Sequence, residues 1–197
     1  DINGLPSVKF TRTANVVPAQ SEALFWDQPL KEIRAVFVVI GSQEGGGILL
    51  GSSAAENTLD FYRGAWVDPA RSIFNASGSG AAAELINGPV YLNGLPVDPL
   101  VAGYNGFFQL VEAFPTGPVQ ASAFAADRNV VSGNGCQRLC EVILYTRELS
   151  EAEQMDTAEY LMRKWFGRST PRAGAVTTLD ALAADGATTV DGCVSGK

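Results

Sequence analysis

The sequence predicts an all-β fold, an antiparallel two-sheet sandwich with one C-terminal α-helix. Three observations carry this. About ten short runs of β-forming residues recur along the chain, each bounded by Gly, Pro, Asn or Asp. Two of the boundaries are Asn-Gly dipeptides, at Asn87-Gly88 and Asn93-Gly94, the pair that suits primed hairpin turns. One stretch alone repeats its apolar residues every three to four positions, and it lies near the C-terminus.

In chain order, residues 8–11 read as a short strand and 15–20 as loop. Residues 23–26 suit either a short strand or a turn of helix. Residues 31–40 form the clearest buried strand, ending on Val36-Phe37-Val38-Val39-Ile40. The glycines of residues 41–47 mark a hairpin loop, and 48–51 return as a strand. No Lys-Ser/Thr follows those glycines, so they do not read as a phosphate cradle. Residues 58–66 alternate: Leu59, Phe61 and Ala65 on one face, Asp60, Tyr62 and Trp66 on the other. Residues 72–76 suit a strand, and 81–86 either strand or helix. Residues 107–113 and 119–125 read as strands split by Pro115-Thr116-Gly117-Pro118.

Residues 139–167 give the most explicit signal. The run Cys140, Val142, Ile143, Leu144, Tyr145 is nearly continuous in apolar residues, as in a strand covered on both faces. Ser150, three residues before Glu153, forms a capping box and starts a helix over residues 151–166. That helix buries Met155, Ala158, Leu161, Met162 and Trp165; Gly167 ends it and Pro171 prevents its resumption. Residues 169–174 are a linker by composition. The tail, 175–197, changes to small β-formers with Asp-Gly turns, and reads either as a rung of a β-solenoid or as an added hairpin. The main domain is therefore 1–168.

Composition removes several functions. Lys plus Arg is 14 against 21 for Asp plus Glu, a net charge of −7, which repels a phosphate backbone and argues against nucleic acid as partner. The chain has no His, so the commonest general base and metal ligand is missing. No apolar run approaches the length of a transmembrane span. Three cysteines make no disulfide framework. Cys136 and Cys140 on one extended strand would be about 13 Å apart, too far for a bridge, which would need a turn near Gly133-Asn134-Gly135. The states of Cys136, Cys140 and Cys193 stay open.

The segment 139–167, strand then Arg-Glu-Leu-Ser then a helix closing on Tyr-Leu-Met-Arg-Lys-Trp, resembles the end of bacterial laminin-G-like domains of the concanavalin A-like lectin/glucanase superfamily. Residues 4–10 are similar to that family's opening strand, residues 32–40 to its first long core strand, and residues 90–98 to its Tyr-x-Asn-Gly hairpin; the likeness covers about residues 2–167. It implies a jelly roll. It also implies a non-catalytic glycan-binding or adhesion module of a secreted or surface bacterial protein, within a larger multidomain chain. The alternative is a structural spacer or protein-interaction domain without a sugar site. A glycoside hydrolase is disfavoured, because the family's strand-borne Glu-x-Asp-x-x-Glu is absent. Glu148, Glu151, Glu153 and Asp156 are explained by the helix start, and Glu141 reads as a structural acid in the strand. No cofactor is expected. Calcium is compatible with the family, but Asp68, Asp98, Asp127 and Asn129 lie in loops without a contiguous ligand series.

The candidate binding face is Asp60, Tyr62 and Trp66, with Arg63 and Asp68 at its end and Trp26 or Tyr104 as a second aromatic wall. An acid, a phenol and an indole suit a wet face that meets a glycan or a surface protein.

Overall fold

The structure, a computed structural model, describes residues 2–10, 23–42, 49–52, 58, 60–61, 72–76, 80–103, 107–125, 137–171, 188–190 and 193–195. Its strands are β1 (Val8–Lys9), β2 (Leu24–Ile33), β3 (Ala35–Ser42), β4 (Val90–Leu92), β5 (Leu95–Val97), β6 (Phe108–Ala113), β7 (Val119–Phe124), β8 (Gln137–Tyr145), β9 (Thr188–Val190) and β10 (Cys193–Ser195). Two helices, α1 (Ala83–Ile86) and α2 (Glu151–Phe166), complete the described elements. Every pairing is antiparallel. One sheet runs β1-β8-β3-β6-β4-β5; β2 pairs with β7, and β9 with β10. The protein is thus predominantly β in antiparallel sheets, as the turn-bounded runs predict.

The strand expected over residues 31–40 is two strands. Ile33 ends β2 opposite Val119 of β7, whereas Ala35 begins β3 opposite Tyr145 of β8. Arg34 is the pivot. Its amide donates to the Tyr145 carbonyl at 2.7 Å, and its guanidinium pairs with Glu148. A continuous run of β-formers does not reveal which neighbour each half chooses, so the sheet change is invisible in composition.

Alternation along β3 divides the interior. Val36, Val38 and Ile40 join a core with Ile33 of β2, Val111 and Ala113 of β6, and Val119, Ala121 and Phe124 of β7. Ala35, Phe37 and Val39 join a second core with Leu110 of β6 and Ala158, Leu161, Met162 and Trp165 of α2. Both faces of β3 are fully buried, which explains its unbroken apolar run. β8 departs from expectation here. Its residues 138–145 are only half-buried, so the covering on its two faces is incomplete.

The helix has the predicted bounds. Ser150 Oγ accepts from the Glu153 amide at 3.3 Å while Glu153 Oε2 accepts from the Ser150 amide at 2.8 Å. Gly167 closes α2 in the left-handed region, φ 64°. Asn3, in a tight Asn3-Gly4 turn, donates from Nδ2 to the Lys164 carbonyl at 2.9 Å and ties the N-terminal segment to that end. Of the expected helical core, Met155 is half-buried and the other four residues are buried.

Other expectations are corrected. Asn93-Gly94 makes the hairpin, with φ 52° and 80°, but Asn87-Gly88 does not. Asn87 caps α1, and Gly88 sits where a Cβ would lie 2.2 Å from the Phe114 carbonyl oxygen, so its glycine serves close approach. Residues 49–50 are a bend and 51 a lone bridge to Ala123, not a strand. Asp60-Phe61 is a turn, not a strand centre. Ser72 makes one bridge, to Gly103, inside bends. In the tail, β9 and β10 form an antiparallel pair. The loop readings at 15–20 and 43–47 fall outside the described residues.

Candidate functional site

A described hollow begins with an irregularity in β2. Phe25 opposes Ala123 and Leu30 opposes Ala121, so the four residues Trp26, Asp27, Gln28 and Pro29 face the single Ser122. So long a bulge arches the strand, and Pro29 has no amide to return to the ladder. Below the arch lies a cavity of about 470 Å³. Leu24, Trp26 and Leu30 of β2 and Phe124 of β7 form one wall; Leu139, Val142 and Leu144 of β8 form the other. Asp27 and Gln28 contribute its polar groups and both are exposed. Three core-facing side chains of β8, Leu139, Val142 and Leu144, pack against the first core and also border this cleft, in keeping with their partial burial.

The predicted site residues fare unequally. Trp26 is described, half-buried, and lines the cleft. Asp60 is described but sits elsewhere. Its carboxylate accepts the Gln120 amide at 2.8 Å and its carbonyl accepts from Ala82. Burial pushes the Asp60 carboxyl above its usual range, the Gln120 amide opposes this, and Glu84 adds to the rise. Asp60 is not among the described residues that line the cleft with Trp26. Asp60 therefore acts as a turn acid holding the start of β7, and the expectation that it stands on an open strand face is overturned for it. Phe61, beside it, is buried as expected. Tyr62, Arg63, Trp66, Asp68 and Tyr104 lie outside the described residues. Asp27 and Gln28 were missed by sequence reading, since the signal for them is the Pro29-bearing bulge, which needs the partner strand to be seen.

The acids are engaged in structure. Glu141 Oε2 accepts from Trp165 Nε1 at 2.5 Å and pairs with Lys164 Nζ at 2.9 Å, and its Oε1 accepts from Tyr160 at 3.2 Å. Burial raises the Glu141 pKa, but those three donors outweigh it and hold the carboxyl below the usual range. A register shift at Cys140 makes this possible: it leaves Cys140 against the helix-side core and turns the next residue, Glu141, to the same helix. The structural role expected of Glu141 accords with these contacts. Glu112 of β6, opposite Phe37 and Tyr91, is fully buried. Glu153 is held down to about 2 by Arg147 and the Ser150 cap.

Among the described residues, no group of three or more His, Cys, Asp or Glu is placed to hold a metal ion. Asp98, one of the loop acids, accepts from the Leu100 amide at 2.9 Å and so stiffens its own turn. Asp68, Asp127 and Asn129 lie outside the described residues. Cys140 is a free thiol; Cys136 lies outside the described residues. No described helix is long and apolar enough to cross a membrane. Comparison of the chain with family models, with curated proteins and with solved structures returns no match.

Proposed function

We propose that the protein is a non-catalytic glycan-binding or adhesion module, built as a concanavalin A-like, laminin-G-like sandwich and working at a bacterial surface or outside the cell. The observation that carries the reading is the cleft, where the Trp26 indole stands beside the exposed Asp27 carboxylate and Gln28 amide. An indole offers a flat apolar face to the C–H side of a sugar, and the acid and amide accept and donate to its hydroxyls. Glycosidases use two carboxyl groups across the scissile bond, whereas the described cleft wall offers one, Asp27. Glu141 is held on the opposite face of β8 under α2.

A glycan array followed by titration of the retained sugars tests this. Binding is expected, with a loss of tenfold or more in Trp26→Ala and in Asp27→Asn, and no hydrolysis of β-glucans. Sugar binding unchanged in both variants, or turnover, refutes the reading. The protein-interaction alternative draws on other residues: Val101 and Phe107 are 76 % and 74 % exposed. It predicts that no glycan binds and that polar substitutions at those two positions abolish capture of a partner.

A further inference from the structure

The described lining of the cleft is more apolar than a sugar alone would require. Behind Trp26 its walls are Leu24, Leu30, Phe124, Val142 and Leu144, with no hydrogen-bonding group among those side chains. The hollow lies within the range of small-ligand sites, roughly 300–1,000 Å³. On β3, Val36, Val38 and Ile40 are sealed by packing, whereas on the adjacent β8 the opposed Val142 and Leu144 are only partly buried and line the cleft. Asp27 and Gln28 are lining residues that are also exposed to solvent. An exposed carboxylate in the lining, on a chain of net charge −7, disfavours an anionic ligand head and accepts hydrogen bonds from hydroxyls.

We propose that this cleft takes a single aliphatic chain whose uncharged, hydroxyl-bearing head meets Asp27 and Gln28: an alkyl or acyl amphiphile, of which an alkyl glycoside is the simplest form. The aliphatic part stands on the cleft lining alone; the identity of the head as a sugar rests on the glycan-binding reading above.

Calorimetric titration of the intact protein with glucose, hexyl glucoside, octyl glucoside, octanol and octanoate, all below micelle-forming concentrations, tests the proposal. Two added methylenes entering an apolar site raise affinity about fifteenfold, from the transfer free energy of each. Octyl glucoside is expected to bind about that much more tightly than hexyl glucoside, and octanoate at least tenfold more weakly. Leu24→Asp changes a half-exposed residue and is expected to fold and to lose octyl glucoside binding. Val142→Phe, which fills the slot from β8, is expected to lose it too. Equal affinity for glucose and both glucosides overturns the aliphatic site and leaves the glycan reading standing. Octanol binding as tightly as octyl glucoside keeps the aliphatic site and overturns the sugar head. Octanoate binding as well as octyl glucoside overturns the uncharged head. No binding by any probe overturns the proposal, as does self-association that rises with concentration and is lost in Leu24→Asp, which would assign the cleft to a second copy of the chain.

Discussion

Removing the Glu141 carboxylate should loosen α2 from the sheet by an amount that can be worked from its three bonds. The Trp165 indole is only 4 % exposed, so in Glu141→Ala its N–H is left buried without its acceptor. A hydrogen bond to a charged group contributes about 1.5–3 kcal/mol when its partner is stranded. Lys164 and Tyr160 are more than a third exposed, and solvent screening reduces the ion pair to less than about 1 kcal/mol. The expected loss is about 2–4 kcal/mol for Glu141→Ala and about 1 for Glu141→Gln, which keeps an acceptor for the indole. Trp165→Phe keeps most of the ring and removes the N–H, so a double-mutant cycle should return a coupling of about 1–2 kcal/mol. The sign with pH follows from the depressed carboxyl. Its stabilisation is complete above the unfolded value, about 4.3, and is lost as pH falls through the lower folded value. Urea denaturation of wild type, the three single variants and the Glu141→Ala/Trp165→Phe double mutant, at pH 7 and again near pH 3, measures all of this. A Glu141→Ala loss under about 0.5 kcal/mol, or a deficit that does not shrink in acid, would refute the argument.

Ser150→Ala should cost about 1 kcal/mol in the same assay, by loss of the cap that the Glu153 amide uses. Asp60→Asn should be neutral or stabilising at pH 7, because it removes a half-buried charge and keeps an acceptor for Gln120. Since the folded Asp60 carboxyl is raised, wild type loses stability as pH climbs through that window. The difference between the proteins should vanish below about pH 3, as pH-dependent melting will show. Cys140 is pushed up to about 11, chiefly by burial. In a Cys136→Ser/Cys193→Ser background it should alkylate at pH 8 about a hundredfold more slowly than an unhindered thiol, by timed mass spectrometry.

Local signals in this chain were legible where the cause is local. The cap at Ser150, the stop at Gly167 and the Asn93-Gly94 turn each follow from a few adjacent residues, and each stands where the sequence puts it. Asn87-Gly88 shows the limit. The same dipeptide ends a short helix, because Gly88 is required by the Phe114 backbone far along the chain. The break at Arg34 and the bulge over residues 26–29 depend on what β7 and β8 offer opposite, so no window of sequence contains them. The candidate site divides the same way. An aromatic wall at Trp26 was readable as a residue type, but the acid beside it in the cleft is Asp27, whereas Asp60 holds a backbone amide.

The place of β8 in its sheet sets an order on folding. β3 is complete by Ser42, yet one of its two neighbours, β8, begins only at Gln137. A chain emerging from its N-terminal end therefore carries the most apolar strand with an open edge while roughly a hundred residues follow. Pairing across such separations closes slowly, and an unpaired apolar edge is where intermediates aggregate. Truncation anywhere between β6 and β8 should leave insoluble chains, whatever the strength of the local turns.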